Sequence, residues 1–575
     1  MKAGAVTTTI AALIVTFDLS FRAGSDPVLP IVVAGAFLLA VLLAGNRSWI
    51  DLLAPNRSWI VHAMLIAVFT TMPPGIPFGI RVGGFYVFFY EFFAFGSVLY
   101  AIGLLRASPV ATTRLQNSAG VRATVLFGIT VTTGVIYGLL HGHLLKDIQT
   151  DVRGIADMMI VIFVVAVIFT VNDWRRYLKT ITTILTFSMV IILYASASGK
   201  SVGFRTEHSQ LYDKTTSTAA RFITQTTALA LAVVLACVTL LVLGRVTARH
   251  AAPMLIPSLG ICFLSFSRNT ILAIAGALAF ALVFALIHGN LGRAGPRFAM
   301  MALVTGFAIF ALPVLGHAVG AGPWVDKQVG GYVDRVVAGF EDSNVKRDAS
   351  AQGRLWEDTH LLNAGAKHPI FGAGFGFRYK PPEGGGIRDP GDFAGTTNGQ
   401  LYAHNTYLWF YVKVGVVGAA TFLILLVVGV LPALGRRRPS PVSVAAAGTL
   451  VGLGVALIFV PYPLDQSNSA AVGLVIGASL EAGTLRAIRN PRLQHASKQP
   501  TTAIPSIARR AQQLDSNFRA AASRSGSPRR QLEDFVLPER CAAERRPIPR
   551  PIPRLSPTTV SPEATPVGRQ IDAAV

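Results

Sequence analysis

Long apolar runs separated by short polar interruptions fill the chain from its start to about residue 485. The runs Val28 to Gly45, Gly84 to Leu105, Ile155 to Val171, Phe222 to Gly244, Thr270 to His288 and Val416 to Leu434 are each roughly 17 to 23 residues long. That length carries an α-helix across a ~30 Å hydrocarbon core. Membrane-spanning strands would instead alternate apolar and polar residues in short segments, which these runs do not. Shorter or more polar runs lie near Ala5, Ser58, Val121, Leu178, Ala252, Phe298, Pro441 and Ser469. Together they predict an all-α integral membrane protein of about 12–14 transmembrane helices. Met1-Lys2 and the apolar stretch after it could also open a cleavable signal peptide. Three Thr residues interrupt the stretch and no small-x-small pattern follows, so a retained first span is expected.

Two regions break the pattern. One is a polar stretch of about residues 316–403, rich in Arg, Asp, Trp and Gly and set between spans; the other begins after Arg486. The division is therefore a polytopic membrane domain, 1–485, and a basic Pro/Arg/Ser-rich segment, 486–575, whose composition predicts a disordered cytoplasmic tail. Composition agrees: 52% hydrophobic and only 14% charged residues exclude an ordinary soluble protein of 575 residues. The tail carries 16 basic and 7 acidic residues, so about nine of the +22 net charge belongs to it. That distribution suits contact with anionic lipid, or a proline-rich docking segment, rather than nucleic acid. The three cysteines, Cys237, Cys262 and Cys541, are scattered and predict neither a disulfide framework nor a clustered metal site.

The remaining basic residues orient the chain. With fourteen spans, Lys2, Arg47, Arg57, Arg106, Arg114, Arg175, Arg176, Arg245, Arg249, Arg293, Arg297 and Arg436 to Arg438 fall on one side, which is then cytoplasmic. The loops at about 198–221 and 316–403 face outward. An outward loop this long and this polar points to recognition of something polar at the membrane surface.

Four motifs carry the candidate chemistry. In Ser265-Phe266-Ser267-Arg268-Asn269, Arg268 reads either as an interfacial snorkelling residue or as a phosphate ligand. Gly353-Arg354-Leu355-Trp356-Glu357-Asp358 opens an amphipathic helix through Ala364, with Arg354 by itself an ordinary solvated charge. His368-Pro369-Ile370-Phe371-Gly372-Ala373-Gly374-Phe375-Gly376 has alternating glycines, but no strand precedes it and no Lys-Ser/Thr follows; a tight extended turn is expected, not a nucleotide loop. His404-Asn405 precedes Tyr407, Leu408, Tyr411 and Val414 at helical spacing. This puts an imidazole at a helix N-terminus, as a capping or interfacial group or as a base near neutral pH. Glu91, among aromatics in an early span, either lines a substrate cavity or hydrogen-bonds to neighbouring helices.

In order and spacing, these motifs resemble the O-antigen ligase and polymerase family over roughly residues 250–435. The resemblance implies a multispanning glycosyltransferase that takes a glycan from a polyprenyl-diphosphate donor and passes it to an acceptor hydroxyl of a glycan, lipid or protein. It implies that His404 is the family's histidine at the helix start, and that Arg354 and Arg268 contact the diphosphate. Arg205 in Gly203-Phe204-Arg205-Thr206 corresponds to a further arginine, although the glycine and asparagine expected after it are missing. Asn405 and Trp356 join as flanking candidates. The long tail and the high span count depart from the family pattern.

The residues support such chemistry unaided. A diphosphate is a good leaving group, so the enzyme must hold it, exclude water and activate a hydroxyl. Guanidinium groups suit the first task and His404 the last, as general base in an inverting displacement. No Asp-x-Asp pair occurs in the loop, where Glu341-Asp342, Asp389 and Asp392 are the nearest acids. Metal independence and no cofactor are therefore expected. The expected site of action is the outer face of the cytoplasmic membrane. The alternative from another class is a transporter or flippase of a polar or lipid-linked solute; the long outer loop and the lack of two matching halves weigh against it.

Overall fold

The computed structural model describes residues 58–484, except 72–78, 83–84, 172, 200–204, 209–219, 319, 334–335, 337–348, 381–400 and 436–438. These residues all belong to the first of two compact units, Met1–Asn490. The expected runs near Ala5 and at Val28 to Gly45, the acids Glu341, Asp342, Asp389 and Asp392, and the tail from Arg486 lie outside the described residues.

From Ser58 onward every expected apolar run coincides with a helix. In chain order these are α1 (Trp59–Phe69), α2 (Phe89–Ala107), the short α3 (Pro109–Gln116), α4 (Ala119–Leu140), α5 (Leu145–Thr170) and α6 (Arg175–Ser198), followed by α7 (Thr227–Val242), α8 (Ala248–Leu264), α9 (Arg268–Ile287) and α10 (Leu291–Ala318). Then come α11 (Gly322–Tyr332) and α12 (Ala349–Lys367) in the polar stretch, and α13 (Thr406–Leu434), α14 (Pro441–Ala456) and α15 (Gln466–Thr484). Six described helices, α2, α4, α5, α6, α9 and α13, are long and apolar enough to cross a membrane, and five shorter apolar helices accompany them. The chain is a multi-pass membrane protein.

Two antiparallel hairpins were not anticipated. Strands β1 (Gly79–Val82) and β2 (Phe85–Phe88) pair before α2, and β3 (Arg205–His208) pairs with β4 (Ala220–Ile223) before α7. Each satisfies its backbone groups within one connection between spans, so the fold remains essentially all-α.

Helix contacts here depend on small residues, because lipid tails offer no hydrophobic drive for helices to associate. α5 and α15 form the most extensive pair, with Gly473 and Gly477 set directly against the Met158 and Ile162 carbonyls. The α13 helix begins earlier than the apolar run Val416 to Leu434 and breaks at Gly415, whose φ of 69° and ψ of −169° are not helical. A side chain at Gly415 would run into the Ile370 carbonyl, so glycine is required for both the angle and the approach.

Into that break fits the glycine motif. The Ala373 and Gly374 N–H groups donate to the Val412 and Lys413 carbonyls at 2.8 and 2.9 Å, and Phe375 N–H to Gly134 of α4 at 3.2 Å. Val416 N–H, freed by the break, donates to Pro369 O at 2.9 Å. Gly372, Gly374 and Gly376 all have positive φ. The expected tight extended turn is thus present, wedged between α4 and α13 rather than cradling a nucleotide.

A His–Glu–Lys cluster at the start of α13

Asn405 caps α13, its side-chain oxygen accepting from Leu408 N–H at 3.2 Å. The residues around it are pinned from several directions. Thr406 N–H donates to Leu457 O at 3.0 Å, its hydroxyl to Val460 O at 3.2 Å, and the Trp409 indole to Leu401 O at 2.9 Å. The His404 backbone therefore has little freedom.

Glu357 meets His404 from the buried side of α12. Its Oε2 accepts from the His404 backbone N–H at 2.8 Å and lies 2.9 Å from the imidazole Nδ1. The other oxygen lies 2.8 Å from Lys380 Nζ and 3.0 Å from the Tyr379 hydroxyl, which also donates to Tyr402 O at 2.5 Å. The Glu357 and Lys380 side chains are only 3% and 4% exposed, whereas His404 keeps 17%. The acid is sealed and the imidazole has an open edge.

Electrostatics fix the tautomer. Burial pushes the Glu357 carboxyl up, but the hydrogen bond and charge of His404 and the Lys380 ammonium outweigh it and hold the acid down at about 2. An ionised carboxylate only accepts, so the bond at Nδ1 must be donated by the ring. In the neutral ring the lone pair is then on Nε2, which makes no hydrogen bond among the described residues. A histidine oriented by a carboxylate, with its far nitrogen unspent, is the arrangement a general base requires.

Of the sequence candidates, the structure brings Asn405, Arg354 and His404 together through Asp358. The Asp358 carboxyl is pushed up by burial; the Asn405 hydrogen bond and the charges of His404 and Arg354 pull against that rise. Trp356 is exposed on α12, edge-on to His360 with ring centroids 4.1 Å apart. Arg268 is the half-buried first residue of α9. It follows Phe266, the one described non-glycine residue with positive φ, at 43°. Phe266 is buried beside Tyr332 of α11, so the polar stretch holds the turn that presents Arg268. Arg205 is in β3, its backbone opposite Ile223 of β4. Glu91 stands elsewhere. Its Oε2 accepts from Phe88 N–H at 3.0 Å and its Oε1 from Arg153 Nε of α5 at 2.9 Å, with the side chain 28% exposed.

Glu357, Lys380 and Tyr379 escaped sequence reasoning. A signal for Glu357 existed: with Leu361 and Ala364 it falls at i, i+4 and i+7 on one face of α12, a lone acid on an otherwise apolar stripe. Lys380 carried none, since nothing local distinguishes it from a solvated loop lysine. Among the described residues no group of three or more His, Cys, Asp or Glu side chains could hold a metal ion.

No curated protein matches the chain. Residues 253–423, which run from α8 through Arg268, Arg354 and His404 into α13, match the family model described as O-Antigen ligase.

Proposed function

We propose that the protein is a glycosyltransferase of the O-antigen ligase and polymerase type, acting on the outer face of the cytoplasmic membrane in cell-surface polysaccharide synthesis. The observation that carries this reading is the Glu357-oriented imidazole of His404 with Nε2 unspent, at the start of a membrane helix within the family segment. The outward orientation rests on the positive loops between spans.

In the proposed reaction His404 Nε2 takes the proton of the acceptor hydroxyl as its oxygen attacks the anomeric carbon. The bond from that carbon to the diphosphate oxygen breaks, and polyprenyl diphosphate leaves with the electron pair. Attack opposite the leaving group inverts the anomeric centre. The imidazolium that forms is stabilised by Glu357, which acts through His404 as a positioning residue. Arg354 and Arg268, with Arg205, supply cationic donors for the diphosphate oxygens. The donor is a polyprenyl-diphosphate-linked glycan; the acceptor is the hydroxyl of a glycan, a lipid or a protein.

The test is to delete the protein in its host, with His404→Ala alongside, and to size the surface polysaccharide and the lipid-linked intermediates. Single repeat units held on lipid indicate lost polymerisation, and full-length glycan held on lipid indicates lost ligation. Normal intermediates in the deletion sink the transferase reading and bring solute transport forward, whereas normal intermediates only in stably inserted His404→Ala sink the general-base role.

A further inference from the structure

We infer that Asp151 of α5 and Lys413 of α13 form a positioning pair for the reaction at His404, acting through the segment that delivers Tyr379 and Lys380 to Glu357. The inference rests on the transferase reading above and assigns a role to two residues that lie well away from the imidazole.

Both charges are inside the helical bundle. Lys413 Nζ is 2.6 Å from Asp151 Oδ2, and the two side chains are 0% and 2% exposed. Lys413 is seven residues into α13 and Asp151 six into α5, which places the pair about 10 Å along each helix from its start. Ionisable groups at such depth are costly, and a buried pair seldom outperforms a well-packed apolar one in stability. A role other than stability is therefore the natural place to look.

The pair's other bonds supply it. Gly376 N–H donates to Asp151 Oδ2 at 2.6 Å, and Lys413 Nζ donates to Phe377 O at 2.7 Å. Two successive residues of the segment are thus gripped, one by each charge. Arg378 follows, its Nε 2.7 Å from Asp147 Oδ2, one turn before Asp151 on the same helix. The next residues are Tyr379 and Lys380, which hold Glu357 Oε1. From Gly376 to Lys380 every residue has a named anchor, and the row of anchors ends on the acid that orients His404. Backbone bonds to Gly134, Val412 and Lys413 secure the segment only as far as Phe375. Beyond that point Asp151, Lys413 and Asp147 hold it from α5 and α13, alongside a turn bond from Phe377 N–H to Gly374 O at 3.4 Å and the bond of the Tyr379 hydroxyl to Tyr402 O.

The experiment is a double-mutant cycle on the purified full-length protein in lipid, with a lipid-linked glycan donor, following kcat and donor KM. Asp151→Leu with Lys413→Met removes both charges and both grips while keeping apolar volume. The expected result is a kcat about 30-fold lower with donor KM within about threefold, and no more than about threefold further loss when Glu357→Gln is added. That saturation marks a pair that works through Glu357; a pair that merely holds the bundle together gives losses that multiply, which overturns the inference. Wild-type kcat in the stably inserted apolar variant overturns it as well. If that variant fails to insert, Asp151→Asn with Lys413→Gln keeps a hydrogen-bonding group at each end. It is expected to retain kcat within about fivefold, and its combination with Glu357→Gln to fall no further than Glu357→Gln alone, whereas multiplying losses again overturn the proposal. His404→Ala run alongside separates the two levels. Wild-type transfer by that variant sinks the general-base role of His404, and an absence of donor turnover by the stably inserted wild-type protein sinks the transferase reading itself, while an inactive His404→Ala beside a fully active pair variant sinks the positioning role alone.

Discussion

Two carboxylates in this molecule have nearly the same ingredients and opposite outcomes. Glu91 accepts from a backbone N–H with one oxygen and from Arg153 with the other. Glu357 likewise spends one oxygen on a backbone N–H and the other on a cation, Lys380. The difference that matters lies in the further partners of Glu357: beside the Tyr379 hydroxyl on Oε1, its Oε2 meets His404 Nδ1. Arginine and lysine only donate, so the Glu91 cluster ends in a closed ion pair. Imidazole has two distinct nitrogens, so binding one of them prepares the other for proton transfer. A partly buried acid in a membrane protein is therefore informative only once its partner is known.

The largest effect that can break this comparison is at His404. His404→Ala should lower transfer by about a thousandfold with protein still inserted, within the range for loss of a general base. Retained activity, measured as glycan transfer per inserted molecule, removes the basis for separating the two clusters. Glu357→Gln comes next, at about a hundredfold in kcat. The amide can offer its NH₂ to Nδ1 and so permits the wrong tautomer, and it no longer stabilises the imidazolium. Arg354→Ala should act on binding instead, raising donor KM by about tenfold or more, the worth of a charge-assisted hydrogen bond, with Arg354→Lys intermediate. Glu91→Gln should be smallest in activity, within about threefold. Its cost falls on stability, because Arg153 loses its ionised partner in the bundle; thermal unfolding should show it. A catalytic collapse in a stably folded Glu91→Gln protein would make the closed cluster functional after all.

Acidity sharpens the same contrast. The Glu357 carboxyl is held down at about 2, below its ordinary value, so its contribution to stability is complete above the usual carboxylate range and is lost only as pH falls toward 2. It stays ionised across the neutral and mildly acidic range. The acid limb of a kcat profile should therefore persist unchanged in position when Glu357 is the only carboxylate altered in its titration, as in Lys380→Met. Removing the ammonium releases the acid upward while leaving it ionised near neutrality. A limb that moves into the neutral range in Lys380→Met would show that Glu357 protonation limits the reaction.

The sequence by itself determined the membrane class, the helical runs from Ser58 onward, the family segment and the prominence of His404. These follow from local properties: the length of an apolar run, the order of short motifs, and an imidazole just before a helix. It also excluded a phosphate cradle at Gly372 to Gly376, because the residues such a loop needs are absent nearby. Only the tertiary structure decided how the histidine is armed. Glu357, Lys380 and His404 come from three separate stretches, and Asp151 and Lys413 are 262 positions apart. Hydropathy averages a single Lys413 or Glu357 into its neighbours, and charge pairing across such separations leaves no periodic trace. The break at Gly415 belongs to the same class, since its necessity appears only where Ile370 packs against it. Chain chemistry sets which groups are available; the geometry of packing sets which nitrogen is left open.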